Sequence, residues 1–99
     1  MKTMKVYDKA KWHLESESSA SYEEKLQHLI VIMDWLKNSG LLSGYGLEVY
    51  EMGVDEEFSL TSQMLTDKGR KILDEYYDKW LQNHKYGEVP SLEIFCNIL

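Results

Sequence analysis

Apolar residues recur at helical spacing in two stretches of the chain. In the first stretch, the steps between apolar positions alternate between three and four residues, which is the period of an amphipathic helix. These positions are Tyr22, Leu26, Leu29, Met33 and Leu36. Ser21 and Glu24 have the spacing of a capping box, and Gly40 suits the left-handed conformation that ends many helices. The pattern predicts a helix from Ser21 to about Asn38.

The second stretch follows Thr66, which is suited to cap a helix. Its apolar positions again fall three and four residues apart: Ile72, Leu73, Tyr76, Tyr77, Trp80 and Leu81. We expect this helix to end near residues 83–85, because Gly87 and Pro90 follow. Just before this second helix, the pattern of residues 60–65 predicts a single turn capped by Thr61.

The remaining segments have no helical period. Lys5–Glu15 is expected to be extended, and Leu47–Met52 fits either a strand or a short helix. At the C-terminus, Leu92, Ile94, Cys96 and Ile98 alternate with other residues in the manner of a half-buried strand. The fold class that follows is α+β, mainly α, with residues 1–99 forming a single domain. Two long amphipathic helices pack together, with short extended segments at the N- and C-termini.

Charge narrows the classes of partner. The 17 acidic and 11 basic residues give a net charge of −6, and the lysines and arginines do not cluster. Such a chain repels phosphate backbones and suits a basic protein partner, such as a basic toxin, or a second copy of itself. The longest apolar run, Leu29–Met33, is too short to cross a bilayer. There is no signal-peptide pattern, and Cys96 is the only cysteine, so we expect a cytoplasmic protein without a membrane segment.

Trp12 and His13 raise the first question of chemistry, because they are adjacent in a polar N-terminal segment. They fit a ligand site, in which His13 would act as acid, base or ligand. They also fit an anchor, in which Trp12 is buried against the long helices and His13 bonds a backbone carbonyl or a carboxylate. The anchor is favoured, with Lys9 and Lys11 pointing to solvent.

No constellation of catalytic or metal-binding residues is evident in the sequence. His13, His28 and His84 have no zinc-ligand spacing, so we interpret them as separate surface or capping residues and expect no metal or cofactor. There is no nucleophile elbow, no phosphate-binding loop and no carboxylate pair in apolar surroundings. We therefore expect a protein that is not an enzyme.

Aromatic and acidic residues in the loops give the best candidate for an interaction surface. Tyrosines at the rim of an interface are favourable contact residues. The candidate residues are Tyr45, Asp55, Glu56, Glu57 and Tyr86.

Three blocks of sequence resemble a family of small, uncharacterised bacterial proteins. The first is Tyr7–Glu15, which is similar to that family's Y-D-x-A-K-W-H-x-E start. The second is Trp35–Ser43, which matches a W-L-x-x-x-x-L-L-S phrase. The third is Leu65–Gly69, followed by Tyr76-Tyr77 and Trp80-Leu81. The resemblance implies an immunity or antitoxin type of protein. The serine-rich loop after Glu15 and the short segment 44–57 depart from the family.

Two classes of function stay open. The first is a non-enzymatic protein-interaction module of the immunity or antitoxin kind. The second is a nucleic-acid-binding regulator, because Leu65–Arg70 is similar to the start of the last helix in winged-helix repressors. In that case Leu47–Met52 and Phe58–Met64 would form the wing hairpin. The acidic charge favours the first class.

Overall fold

A computed structural model of the protein describes residues 5–17, 19–82 and 92–96. Within these residues the chain is mainly helical, with a two-stranded antiparallel sheet, which confirms the α+β, mainly α class. The elements in chain order are β1 (Val6–Lys9), α1 (Ala10–Leu14), α2 (Tyr22–Asn38), α3 (Gly44–Met52), β2 (Ser59–Thr61), a 3₁₀ turn (Ser62–Met64), α4 (Asp67–Gln82) and α5 (Glu93–Cys96).

Both long helices begin where their sequence signals predict. The Ser21 hydroxyl accepts from the Glu24 amide at 3.2 Å, and the Glu24 carboxylate accepts from the Ser21 amide at 2.9 Å, which completes the capping box. Gly40 follows α2 with φ of 69°. Thr66 caps α4 through a 3.2 Å bond from the Gly69 amide. The predicted cap by Thr61 is wrong, because its side chain makes no capping hydrogen bond to the 3₁₀ turn.

Most of the apolar stripes of α2 and α4 are buried in the same core, although Tyr22 is 50% exposed. Large aromatic rings lie between the two helices: the Phe95 ring centroid is 4.9 Å from that of Trp35 on α2 and 5.5 Å from that of Trp80 on α4. Such ring pairs add stabilisation beyond the area that they bury. The predicted stop of α4 at residues 83–85, 87 and 90 lies outside the described residues.

The segment Leu47–Met52 is helical, so the wing hairpin predicted for the regulator class is wrong. Two local signals account for the helix. The Ser43 hydroxyl accepts from the Gly46 amide at 3.1 Å, which caps the first turn of α3. Gly53 ends the helix with φ of 86°, a conformation that glycine adopts without steric cost.

The strand predicted at the C-terminus is also wrong for residues 93–96, which form α5. Phe95 interrupts the alternation in the sequence, and it is the residue that is fully buried. Leu92 and Ile94 are only partly buried against the core. Burial of one large ring between two tryptophans therefore decides the conformation here. Ile98 lies outside the described residues.

No helix among the described residues is long and apolar enough to cross a membrane.

Candidate functional site

A β-bulge at Tyr7 buries two successive residues of β1. Val6 pairs with Thr61 and Asp8 pairs with Leu60, so β1 carries one extra residue between them. In a regular strand, neighbouring side chains point to opposite faces. Here both Tyr7 and Asp8 are buried. Bulges are known to redirect side chains in this way, often next to functional sites.

The Asp8 carboxylate lies at the centre of a buried polar cluster, which we call the Asp8 cluster (Asp8, His13, His28 and Tyr77). Its Oδ1 is 2.6 Å from His13 Nε2, and its Oδ2 is 3.1 Å from His28 Nε2. The Tyr77 hydroxyl donates to Oδ2 at 2.6 Å. The two Nε2 atoms of His13 and His28 are 3.1 Å apart.

Four elements supply the Asp8 cluster. Asp8 lies on β1, and α1 starts two residues later, so one helical turn brings His13 back over the carboxylate. His28 comes from the buried face of α2, and Tyr77 from that of α4. The amide of Lys9 also donates to Asp8 Oδ1, at 2.8 Å. The carboxylate therefore holds the N-terminal segment against both long helices.

Hydrogen bonding keeps Asp8 ionised in the interior. Burial disfavours the charged carboxylate, but hydrogen bonds from His13, His28 and Tyr77 outweigh it and hold the pKa of Asp8 well below its usual range. Burial, followed by the charge of Asp8, raises the pKa of the Tyr77 hydroxyl well above its ordinary value. Both pKa shifts favour a neutral Tyr77 hydroxyl that donates to an ionised Asp8 carboxylate.

The exposure of Trp12 shows that the predicted anchor is wrong. Trp12 is 53% exposed, with the Lys9 ammonium 5.8 Å from its ring centroid. It lies on the solvent side of α1, because Ala10 occupies the buried side of that short helix. Lys11 is exposed, as predicted, whereas Lys9 is partly buried. The predicted bond from His13 to a carboxylate is confirmed.

The prediction that the histidines are separate is wrong for His13 and His28, whose ring centroids are 4.2 Å apart. His84 lies outside the described residues. The sequence did not predict that His13 contacts Asp8 and His28, or that Tyr77 bonds the same carboxylate. His28 lies beside the apolar stripe of α2, and Tyr77 lies within that of α4. Neither pattern indicates which polar side chains meet in the fold.

Helix α3 forms a second unusual feature, because several of its large apolar residues are exposed. Gly46 is its only residue classed as buried. Three of its large apolar side chains are exposed, with Met52 at 81%; they are Tyr45, Leu47 and Met52. An apolar helix usually buries more of its side chains than this one does.

A groove of about 290 Å³ lies between α2 and α3. Its apolar wall includes Ile30 of α2 and Val49 of α3. The acids Asp34 and Glu51 also line it, and the Tyr50 hydroxyl donates to Asp34 Oδ1 at 2.7 Å. We call this feature the α2–α3 groove. Its apolar wall and acidic groups suit an apolar segment that carries positive charge.

The structure exposes most of the interaction surface predicted from the sequence. Tyr45 is exposed in the first turn of α3. The acids Asp55, Glu56 and Glu57 are exposed just beyond the other end of the same helix. Tyr86 lies outside the described residues. The predicted residues thus flank α3, whereas the groove itself was not predicted.

Comparisons of the chain with protein-family models, with curated proteins and with solved structures find no match.

Proposed function

We propose that this protein is a non-enzymatic interaction module of the immunity or antitoxin kind, which acts in the cytoplasm and binds a basic protein partner. The observation that carries the proposal is α3, a helix that leaves Tyr45, Leu47 and Met52 in solvent. Tyrosine and methionine side chains are enriched at protein interfaces. The resemblance of three sequence blocks to a family of small, uncharacterised bacterial proteins, which implies an immunity or antitoxin type, supports the same class.

The charge around α3 supports a basic partner. Residues 44–57 contain five acids and neither lysine nor arginine. Asp34 of α2 adds a further carboxylate to the α2–α3 groove. The Lys37 side chain lies over the Tyr50 ring, and the lysine ammonium is 4.9 Å from the ring centroid. An amphipathic helix with lysines beside its apolar face would match the groove in both chemistry and charge.

Peptide binding to the full chain tests this proposal. The probe is a synthetic amphipathic helix of leucine and lysine, and the comparison peptide has glutamate in place of every lysine. We expect calorimetry to detect binding of the lysine peptide alone. Ile30→Lys and Glu51→Lys should each weaken it by about tenfold, because one removes an apolar contact and the other an attractive charge.

Glu75→Lys is the matched control, since Glu75 is exposed on α4 and does not line the groove. It should leave the affinity within about twofold of the unaltered chain, which is roughly 0.4 kcal/mol. Equal binding of both peptides, binding of neither, or equal weakening by all three substitutions would contradict the proposal. Co-purification with the product of the adjacent gene, lost in Glu51→Lys, would support the immunity or antitoxin role.

A further inference from the structure

The Asp8 cluster contains three side chains that have the chemistry of a transition-metal site. One carboxylate oxygen and one nitrogen from each imidazole all lie within 4.8 Å of one another. We propose that Asp8, His13 and His28 bind one divalent transition-metal ion, with zinc as the expected metal. This site shares no residue with the α2–α3 groove, so failure of either proposal leaves the other standing.

The ligand atoms are close to the separations that a bound ion requires. Zinc bound to nitrogen or oxygen at about 2.0–2.1 Å in tetrahedral geometry places its ligands about 3.3 Å apart. His13 Nε2 and His28 Nε2 are 3.1 Å apart, as are His28 Nε2 and Asp8 Oδ2. The 2.6 Å separation of His13 Nε2 from Asp8 Oδ1 is that of a hydrogen bond. A tetrahedral ion would require this separation to widen.

Hydrogen bonds within the Asp8 cluster leave an unfavourable contact, whichever imidazole nitrogens carry protons. If both Nε2 atoms carry protons and donate to Asp8, two N–H groups meet at 3.1 Å with no acceptor between them. If one Nε2 atom is unprotonated, it accepts from the other imidazole at 3.1 Å, but its lone pair also lies near a carboxylate oxygen, which is another acceptor. A cation among the three side chains accepts electron pairs from all of them, so the convergence of lone pairs becomes favourable.

The donor types select the class of metal. Imidazole nitrogen suits zinc, cobalt, nickel, copper and iron, whereas calcium and magnesium prefer sites made only of oxygen. Two histidines and one carboxylate also leave coordination positions for water. His13 is the most accessible of the three ligands, with its side chain 11% exposed, compared with 2% for Asp8 and 0% for His28.

Neighbouring groups orient the carboxylate ligand. Tyr77 donates to Oδ2, and the Lys9 amide donates to Oδ1. Outer hydrogen bonds of this kind fix ligand orientation, and their loss commonly lowers metal affinity by about 10- to 100-fold. The three ligands come from β1, α1 and α2. An ion held by these three side chains would join the N-terminal segment to α2.

Zinc binding to the full chain tests the site. The protein is freed of metal with a chelator and then titrated with zinc in a calorimeter, with circular dichroism as a check on folding. We expect one zinc ion per chain and a rise in the melting temperature when zinc is in excess. His13→Gln removes one ligand at the most exposed position of the cluster. It should lower zinc affinity by about 100-fold or more, given that outer-shell losses already reach this range.

His84→Gln is the comparison variant, because it removes the third histidine of the chain. It should bind zinc like the unaltered protein. Absence of zinc binding, unchanged binding in His13→Gln, or equal loss in His84→Gln would each overturn the proposal. The first of these results would identify the cluster as a hydrogen-bond network only.

Tyr77→Phe tests the site if His13→Gln fails to fold. This variant retains all three metal ligands, and its side chain has nearly the same shape as tyrosine. We expect its zinc affinity to fall by about tenfold, through the lost bond to Asp8. Cobalt supplies a second readout, since Co²⁺ held by nitrogen and oxygen ligands in a tetrahedral site gives strong visible absorption. A cobalt spectrum that stays identical to that of the free aqueous ion would contradict the site.

Discussion

At the scale of single residues, Asp8 determines most of the polar interior. It bonds partners that are 5, 20 and 69 positions away in sequence, namely His13, His28 and Tyr77. The sequence marks Trp12-His13 as unusual, and it predicts that His13 meets a carboxylate. It does not identify that carboxylate, because the choice depends on a bulge in β1 and on the packing of two distant helices. Such contacts leave no local periodicity.

Removal of the Asp8 carboxylate should destabilise the protein severely. In Asp8→Ala, the His13 and His28 nitrogens and the Tyr77 hydroxyl lose a shared buried acceptor. We expect a loss of about 3–5 kcal/mol in the free energy of unfolding, measured by urea denaturation of the metal-free chain. Asp67→Ala is the control, because Asp67 is an exposed acid in the first turn of α4, and it should change stability by about 1 kcal/mol at most. Similar losses in the two variants would show that the cluster is not critical.

Tyr7, the other buried residue of the β1 bulge, makes a hydrogen bond whose contribution to stability depends on pH. Its hydroxyl donates to Asp74 Oδ1 at 2.7 Å, and the Lys5 ammonium is 3.1 Å from the same oxygen. The hydrogen bond from Tyr7 lowers the pKa of Asp74, opposed in part by burial and helped by Lys5. A carboxyl whose pKa is lowered on folding stabilises the protein above its unfolded pKa. That stabilisation is lost as the pH falls through the folded value.

Tyr7→Phe should therefore cost stability at neutral pH and less in acid. We expect about 1 kcal/mol or less at pH 7, since Asp74 is half exposed and water screens the contact. The difference from the unaltered chain should shrink as the pH is lowered below about 4, the ordinary range of an aspartate. Urea denaturation of both proteins at a series of pH values measures this. A difference that stays constant in acid would show that Asp74 protonation is not involved.

At the scale of secondary structure, the sequence predicts elements well where the signals are local and repeated. α2 and α4 each have a capping residue and several turns of apolar periodicity, and both begin where expected. α3 and α5 are short, so periodicity carries little information there. α3 depends on the Ser43 cap and on contact with the 3₁₀ turn, and α5 depends on the burial of Phe95. Tertiary contacts therefore decide the short elements.

Gly46 permits the close approach of α3 to the 3₁₀ turn. A Cβ atom at this position would collide with the backbone carbonyl of Met64, which is not the end of a flexible side chain. We expect Gly46→Ala to destabilise the protein by about 2 kcal/mol or more, measured by thermal and urea denaturation. Gly44→Ala is the matched control in the same helix, because a Cβ there meets no atom within 4 Å. It should be neutral or slightly stabilising, and equal effects of the two substitutions would contradict this account of α3 docking.

At the scale of the whole molecule, two features argue against a DNA-binding protein. They are the net charge of −6 and the apolar side chains exposed on α3. The absence of a wing hairpin at Leu47–Met52 removes one structural reason for the regulator class. The charge pattern of α4 removes another, because the exposed acids Asp74, Glu75 and Asp78 would face phosphates.

We therefore expect the full chain not to bind duplex DNA in a mobility-shift assay, even at low salt, where electrostatic attraction is strongest. A variant that combines Glu75→Lys with Asp78→Lys serves as the control for charge. If repulsion by the α4 acids is the cause, this variant should gain weak binding that disappears as salt is raised. DNA binding by the unaltered chain, with an affinity that falls steeply with salt, would reverse the order of the two function classes. The basic peptide would then be expected to compete poorly, because DNA would occupy a surface other than the α2–α3 groove.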